Sequence, residues 1–222
     1  MSKKISEDTF KRLYNSFNPL KPLEAGDEVY VECEEVRGDG DIKIELGKSI
    51  TSDDDLTYQL YTGHRGAGKS TELKRLKEYL EENSFYVVYF TADEEIEQSD
   101  TQHTDILLAC TRHLLESLKD EADALPLVEW LKQRWESLKE LAPTGINFDN
   151  INIQLGIPLF AKVTAVMRTS PSTREAIRQE VEKHTPSLIE ELNKFIESAQ
   201  KNLKEKNKQG IVVIADNLDR IS

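Results

Sequence analysis

Cysteine is scarce: Cys33 and Cys110 are the only two in 222 residues. That is too few, and they lie too far apart, for a disulfide framework or a metal cluster. The expected state is a pair of reduced thiols in a cytoplasmic protein. Long apolar runs are also missing. The longest are about six residues, against the ~20 needed to span a bilayer, and Lys3 and Lys4 lead into no apolar stretch of the kind a signal peptide carries. No membrane association is therefore expected. Positive charge is in deficit, with 29 Lys and Arg against 41 Asp and Glu and a net charge of −12. Such a balance argues against a broad nucleic-acid or anionic-membrane surface. There is no internal repeat and no low-complexity segment. What remains, 38% hydrophobic and 32% charged, suits a soluble helix-rich globule of one domain with an insertion, or at most two small domains.

The glycines are few, ten in all, and three of them fall in one stretch, Gly63-His64-Arg65-Gly66-Ala67-Gly68-Lys69-Ser70-Thr71. Gly63 to Ser70 matches G-x-x-x-x-G-K-[ST] at every fixed position. With glycine near 7% of average composition, a chance match in a chain of this length is on the order of one in a hundred. Leu56–Thr62 before it has strand character, and an amphipathic helical pattern follows from Glu72. The residue types explain themselves. Gly63, Gly66 and Gly68 permit positive φ and close backbone approach to phosphate oxygens, the amides of His64, Arg65, Ala67 and their neighbours line an anion nest, and the helix N-terminus adds partial positive charge. Lys69 is placed to reach the β- and γ-phosphates, and the Ser70 hydroxyl to ligate Mg²⁺. In an acidic chain, positive potential must be made locally, by Lys69, Arg65, the amides and a metal.

Around this loop the chain reads as follows. Ser6 caps a short helix with Phe10, Leu13, Tyr14 and Phe17 on one face. Val29–Val31 and the alternating Ile42, Ile44 and Leu46 read as short strands, and the carboxylates of 53–55 as a solvated loop. These belong to an N-terminal region, 1–55, ahead of a core at 56–222. Phe85–Phe90 is a continuous β-rich apolar run, the mark of a strand in a parallel sheet; the acidic loop 93–97 follows its carboxyl end, where ligands sit in open α/β sheets. An insertion spans about 103–208. It opens with two helices, in which His103, His113, Trp130 and Trp135 are read as packing or surface residues. The alternation of Ile146, Phe148, Ile151, Ile153 and Leu155, then of Leu159, Ala161, Val163, Ala165 and Met167, predicts a β-hairpin. Ser170-Pro171 starts a long helix that Pro186 kinks or splits.

The last signal is Ile211-Val212-Val213-Ile214-Ala215-Asp216-Asn217-Leu218-Asp219-Arg220. Four aliphatics ending in an acid predict a buried parallel strand that delivers a carboxylate to its tip. Asp216 is the candidate for holding Mg²⁺, through water, with Ser70. Asp219 is the remaining acid, a candidate for polarising an attacking water or completing the metal's outer shell.

Taken together, the Gly63–Leu76 stretch, the late Ile211–Arg220 stretch and the helical segment between them resemble bacterial P-loop ATPases of the AAA and STAND group, which includes NACHT- and KAP-like proteins. The resemblance covers about residues 10–222. It implies an α/β fold of the ASCE-type P-loop NTPase class: a mostly parallel sheet with flanking helices, here with a helical segment and a β-hairpin insertion. It also implies binding of ATP and Mg²⁺. Two departures stand out. Asn217 follows Asp216 where AAA proteins carry Glu, and the Asp216-x-x-Asp219 spacing is closer to the STAND or KAP pattern. The family's sheet order is similar to 5-1-4-3-2, and the sequence ends soon after its third strand, so the sheet is expected to be incomplete and the chain to be the N-terminal part of a larger ATPase. The leading expectation is an ATP-hydrolysing switch or motor module that works with a protein partner or as a homo-oligomer. A non-catalytic nucleotide-binding module and a small-molecule phosphotransferase stay open beside it.

Overall fold

Helix starts and stops written into the sequence account for most of the architecture. In a computed structural model, residues 6–16, 21–32, 40–53, 55–97, 99–140 and 157–218 are described. The chain divides into two compact units, Met1–Tyr79 and Leu80–Ser222.

In the first unit, α1 (Glu7–Ser16) begins as expected, with the Thr9 N–H donating to Ser6 Oγ at 3.2 Å. Its aromatics Phe10 and Tyr14 stack on each other and are exposed. A π-helical turn, Lys43–Gly47, runs into α2 (Lys48–Ser52). This corrects the strand expected over Ile42, Ile44 and Leu46. Likewise Val29–Val31 forms no strand. Alternation stabilises a strand only against a neighbour that completes its hydrogen bonds, and no strand is present among the described residues of this unit. The same holds for Leu56–Thr62, which is irregular, with Leu56, Tyr58 and Leu60 about four-fifths exposed.

The helix that follows the glycine loop, α3 (Lys69–Glu82), is clasped by the segment before it. The Leu23 N–H donates to Thr71 Oγ1 at 3.1 Å, Lys74 pairs with Glu24, and Tyr30 Oη donates to Glu72 Oε1 at 3.0 Å. Buried Arg75 ties these together. It pairs with Glu72 at 2.7 Å and Asp41 at 3.7 Å and lies 4.3 Å above the Tyr30 ring. Burial disfavours its charge, but the hydrogen bond and charge of Glu72, with Tyr30 and Asp41, outweigh that and hold its pKa above the usual arginine value. Gly47 is buried against Tyr79, and a Cβ there would stand 2.6 Å from the ring, so only glycine fits.

The second unit holds the sheet. Strands β1 (Tyr86–Thr91) and β2 (Ile211–Asp216) pair in parallel, Tyr86 with Ile211 through Thr91 with Asp216. Two left-handed residues launch them. Ser84 (φ 64°) follows α3 and Asn207 (φ 62°) follows the last helix, each turning the chain as a helix C-terminal residue in that conformation does. The Gln209 N–H then donates to the Ser84 carbonyl at 2.8 Å, opening the ladder.

Between the strands the chain is helical: α4 (Ala92–Glu95), α5 (His103–Leu118), α6 (Leu125–Gln133), α7 (Trp135–Glu140), α8 (Ile157–Thr169), α9 (Pro171–Glu182) and α10 (Thr185–Glu205). Pro126, Pro171 and Pro186 each sit in the first turn of their helix, where a missing N–H costs nothing. Pro186 therefore splits the long helix in two, as the sequence allows. Helix α8 corrects the expected β-hairpin. Its first half, 144–156, lies outside the described residues, but the second half is a helix that buries Phe160, Val163, Thr164 and Met167. That is the i, i+3, i+4, i+7 stripe of a helix face. The alternation rested on Ala161 and Ala165, and alanine is the best helix former. Phe160 and Val163 join Leu108, Leu115, Leu131 and Leu188 in one core shared by α5, α6, α8, α9 and α10.

A buried ionic cluster fixes the entry to α5. Asp105 accepts the Gln102 N–H at 2.9 Å, capping the helix, and also accepts Arg178 Nε and Nη2 at 3.0 and 2.6 Å. Arg178 and Arg174 each donate to Asp100 Oδ2 at 3.0 Å. The hydrogen bond to Asp105 raises the Arg178 pKa against the opposing effect of burial.

Candidate functional site

The glycine loop is short, and its backbone is shaped by two residues that only glycine suits. Gly66 (φ 82°) and Gly68 (φ 86°) are left-handed, a region where a side chain is strained. A Cβ on Gly66 would meet nothing within 4 Å, so backbone geometry and not crowding is what requires glycine there. The Ala67 N–H closes a turn onto the His64 carbonyl at 3.1 Å, and the Glu72 N–H reaches the Gly68 carbonyl at 3.1 Å to start α3. Lys69, the first residue of α3, folds its side chain back along the loop, where Nζ donates to the carbonyls of Gly63 and His64 at 2.8 and 3.1 Å. His64, Arg65, Gly66 and Ala67 are exposed, while Gly68, Lys69, Ser70 and Thr71 are half-buried. Left-handed glycines two residues apart at a helix N-terminus can turn amide N–H groups toward one point, the geometry that receives an anion. These residues fit a phosphate chain. The ammonium of Lys69 stands where it can exchange loop carbonyls for phosphate oxygens.

The second candidate, Asp216, ends β2 in the other unit. Thr91 is its neighbour across the ladder, and Tyr89 faces Ile214. Side chains two apart share a face, so Tyr89 and Asp216 lie diagonally on the same face. Tyr89 Oη donates to Asp216 Oδ2 at 2.6 Å. Asn217 takes a left-handed φ of 61°, and its N–H donates to Asp216 Oδ1 at 2.7 Å. Asn217 Nδ2 reaches Asp93 Oδ1 at 3.0 Å. Asp216 is only 4% exposed, and a buried carboxylate is tolerable only when it is hydrogen-bonded. A carboxylate held at a strand tip with a lone pair left on each oxygen is chemically suited to a hydrated Mg²⁺.

Other residues singled out in the sequence have plainer places. Asp219 lies outside the described residues. His103 is exposed at the start of α5, and His113 stacks on Phe90 with ring centroids 4.5 Å apart. Trp130 is buried and donates to Ser187 Oγ at 2.8 Å, with Arg134 over its ring. The 93–97 stretch is α4 and its exit, not a loop. Among the described residues no group of three or more His, Cys, Asp or Glu could hold a metal ion, and no helix is long and apolar enough to cross a membrane. Burial pushes the Cys110 thiol up to about 11. Sequence reading passed over Tyr89 and the side chain of Asn217. The available signal was a tyrosine two residues before the end of the strand that pairs with the acid-tipped one.

The KAP family P-loop domain matches residues 54–222. Comparison with curated proteins and with solved structures finds no match for the chain. The matched span takes in the glycine loop, both strands and Asp216, and makes this a P-loop NTPase domain. Spanning about three-quarters of the 222 residues, it settles the family among those the sequence resembles: the chain belongs to the KAP family of P-loop domains.

Proposed function

We propose that residues 56–222 form an ATP-binding core that carries out Mg²⁺-dependent hydrolysis as a switch or motor module, relaying nucleotide state to a protein partner or to further copies of itself. The observation that carries the reading is the pair of left-handed glycines, Gly66 and Gly68, at the N-terminus of α3 with Lys69 turned back along the loop. In this reading Gly63–Thr71 holds the triphosphate. Lys69 neutralises the β- and γ-phosphates, and Ser70 and Asp216 hold the metal. Mg²⁺, when bound, would supply positive charge that offsets the negative charge of the phosphates. Asp219 polarises the attacking water or completes the metal's outer shell. Phosphate release from ATP and Mg²⁺, abolished in Lys69→Ala, is the expected result. Nucleotide binding without phosphate release would replace hydrolysis by the second reading, a binding module without turnover. Asn217 favours that second reading, because a carboxamide donating to Asp93 stands where a general base would follow Asp216.

A further inference from the structure

Resting on the nucleotide reading above, we propose that Tyr89 and Asn217 are positioning residues that hold the Asp216 carboxylate in one orientation for its metal. The two donors divide the carboxylate between them. The Tyr89 hydroxyl takes Oδ2 at 2.6 Å and the Asn217 main-chain N–H takes Oδ1 at 2.7 Å. One bond to each oxygen fixes both the side-chain rotamer and the carboxylate plane, and each oxygen, which can accept twice, keeps capacity for a further donor such as a metal-bound water. Both donors are neutral, so neither cancels the negative charge that a divalent cation requires. A lysine or arginine in either place would compete with the metal instead.

The fold supports this division. Tyr89 sits on the face of β1 it shares with Asp216, one strand over and two residues along, so its ring spans the ladder and its hydroxyl arrives from the side. Its neighbours Val88 and Phe90 are buried. The Tyr89 hydroxyl is committed to the carboxylate by its 2.6 Å bond to Oδ2. From the other side, the left-handed turn at Asn217 (φ 61°), a conformation asparagine accepts more readily than most residues, points its N–H back at the acid it follows. The same turn directs Nδ2 to Asp93 on α4 at 3.0 Å. The end of β2 is thereby tied to α4 by the Asn217 side chain.

The test is the Mg²⁺ dependence of binding of a fluorescent ATP analogue (methylanthraniloyl-ATP) to the purified chain, read against a parallel titration in EDTA. Tyr89→Phe is expected to raise the Mg²⁺ midpoint about tenfold or more, the range typical when a ligand's supporting hydrogen bond is lost, and to leave affinity in EDTA unchanged. Asn217→Gly keeps both the left-handed turn and the main-chain donor, and is expected to shift the midpoint less than Tyr89→Phe does. A purely structural hydroxyl would lower the melting temperature of Tyr89→Phe while its Mg²⁺ midpoint stayed within about twofold of wild type, and that result overturns the positioning role alone. Absence of analogue binding by the wild-type chain overturns the nucleotide reading and this proposal with it. Lys69→Ala separates the two cases, because it weakens binding in EDTA as well as in Mg²⁺ if the glycine loop is the site.

Discussion

Arg178 is 1% exposed and bonds both oxygens of Asp105 and, through Nη1, Asp100. Removing one member of a buried pair strands the other charge, typically at a cost of about 3–5 kcal/mol. Arg178→Met is expected to destabilise the protein by that order in urea unfolding, and Arg178→Met with Asp105→Leu to recover much of the loss, since the acid is then no longer orphaned. Asp100 is the exposed member. Its hydrogen bond to Arg178, then Arg174, holds its carboxyl below the usual aspartate value. A depressed folded pKa contributes stability above the unfolded value, near 4, that is lost as pH falls through the folded one. The melting-temperature gap between wild type and Asp100→Asn is therefore expected at pH 7 and should close in acid below about pH 4. Cys110 offers a third check. Its thiol, raised by burial to about 11, is almost wholly protonated at neutral pH, and the thiolate is the reactive form. Iodoacetamide at pH 7.5 should label Cys110 far more slowly in the native chain than in denaturant, read by mass spectrometry of its peptide.

At the scale of elements, α8 shows why one pattern was misleading. Leu159, Ala161, Val163, Ala165 and Met167 alternate, yet Phe160, Val163, Thr164 and Met167 form the buried helical stripe. Phe160 has no exposure, and Phe160→Ala is expected to cost about 3–5 kcal/mol, with the far-ultraviolet helical signal at low temperature retained. Strands β1 and β2 were legible because Val87–Phe90 and Ile211–Ala215 are continuous runs of β-favouring apolar residues, the mark of parallel strands; burial on both faces does not follow, since Val213 stays 41% exposed. Leu56–Thr62, Val29–Val31 and Ile42–Leu46 were not, because alternation specifies a face and not a partner. Caps and prolines were more reliable. Ser6, Pro126, Pro171 and Pro186 begin helices where local geometry alone demands it. The Tyr89–Asp216 bond was hidden for a different reason: its partners are 127 positions apart, and only the parallel register sets them on one face.

At the scale of the whole molecule, the chain is two compact units, with the glycine loop in one and the acid-tipped sheet in the other. The turn of the loop was legible because the positive φ at Gly66 and Gly68 is a backbone conformation that calls for glycine. Asp216 was legible as a strand tip, while its donors depended on tertiary register. The central claim is that Gly63–Thr71 binds a nucleoside triphosphate, and thermal unfolding with and without ATP and Mg²⁺ tests it most directly. A ligand held at 100 times its Kd stabilises the native state by about 2.7 kcal/mol. The account predicts a rise in melting temperature that grows with ATP concentration in the wild-type chain and is absent in Lys69→Ala. No rise at millimolar ATP, or an equal rise in Lys69→Ala, would contradict it.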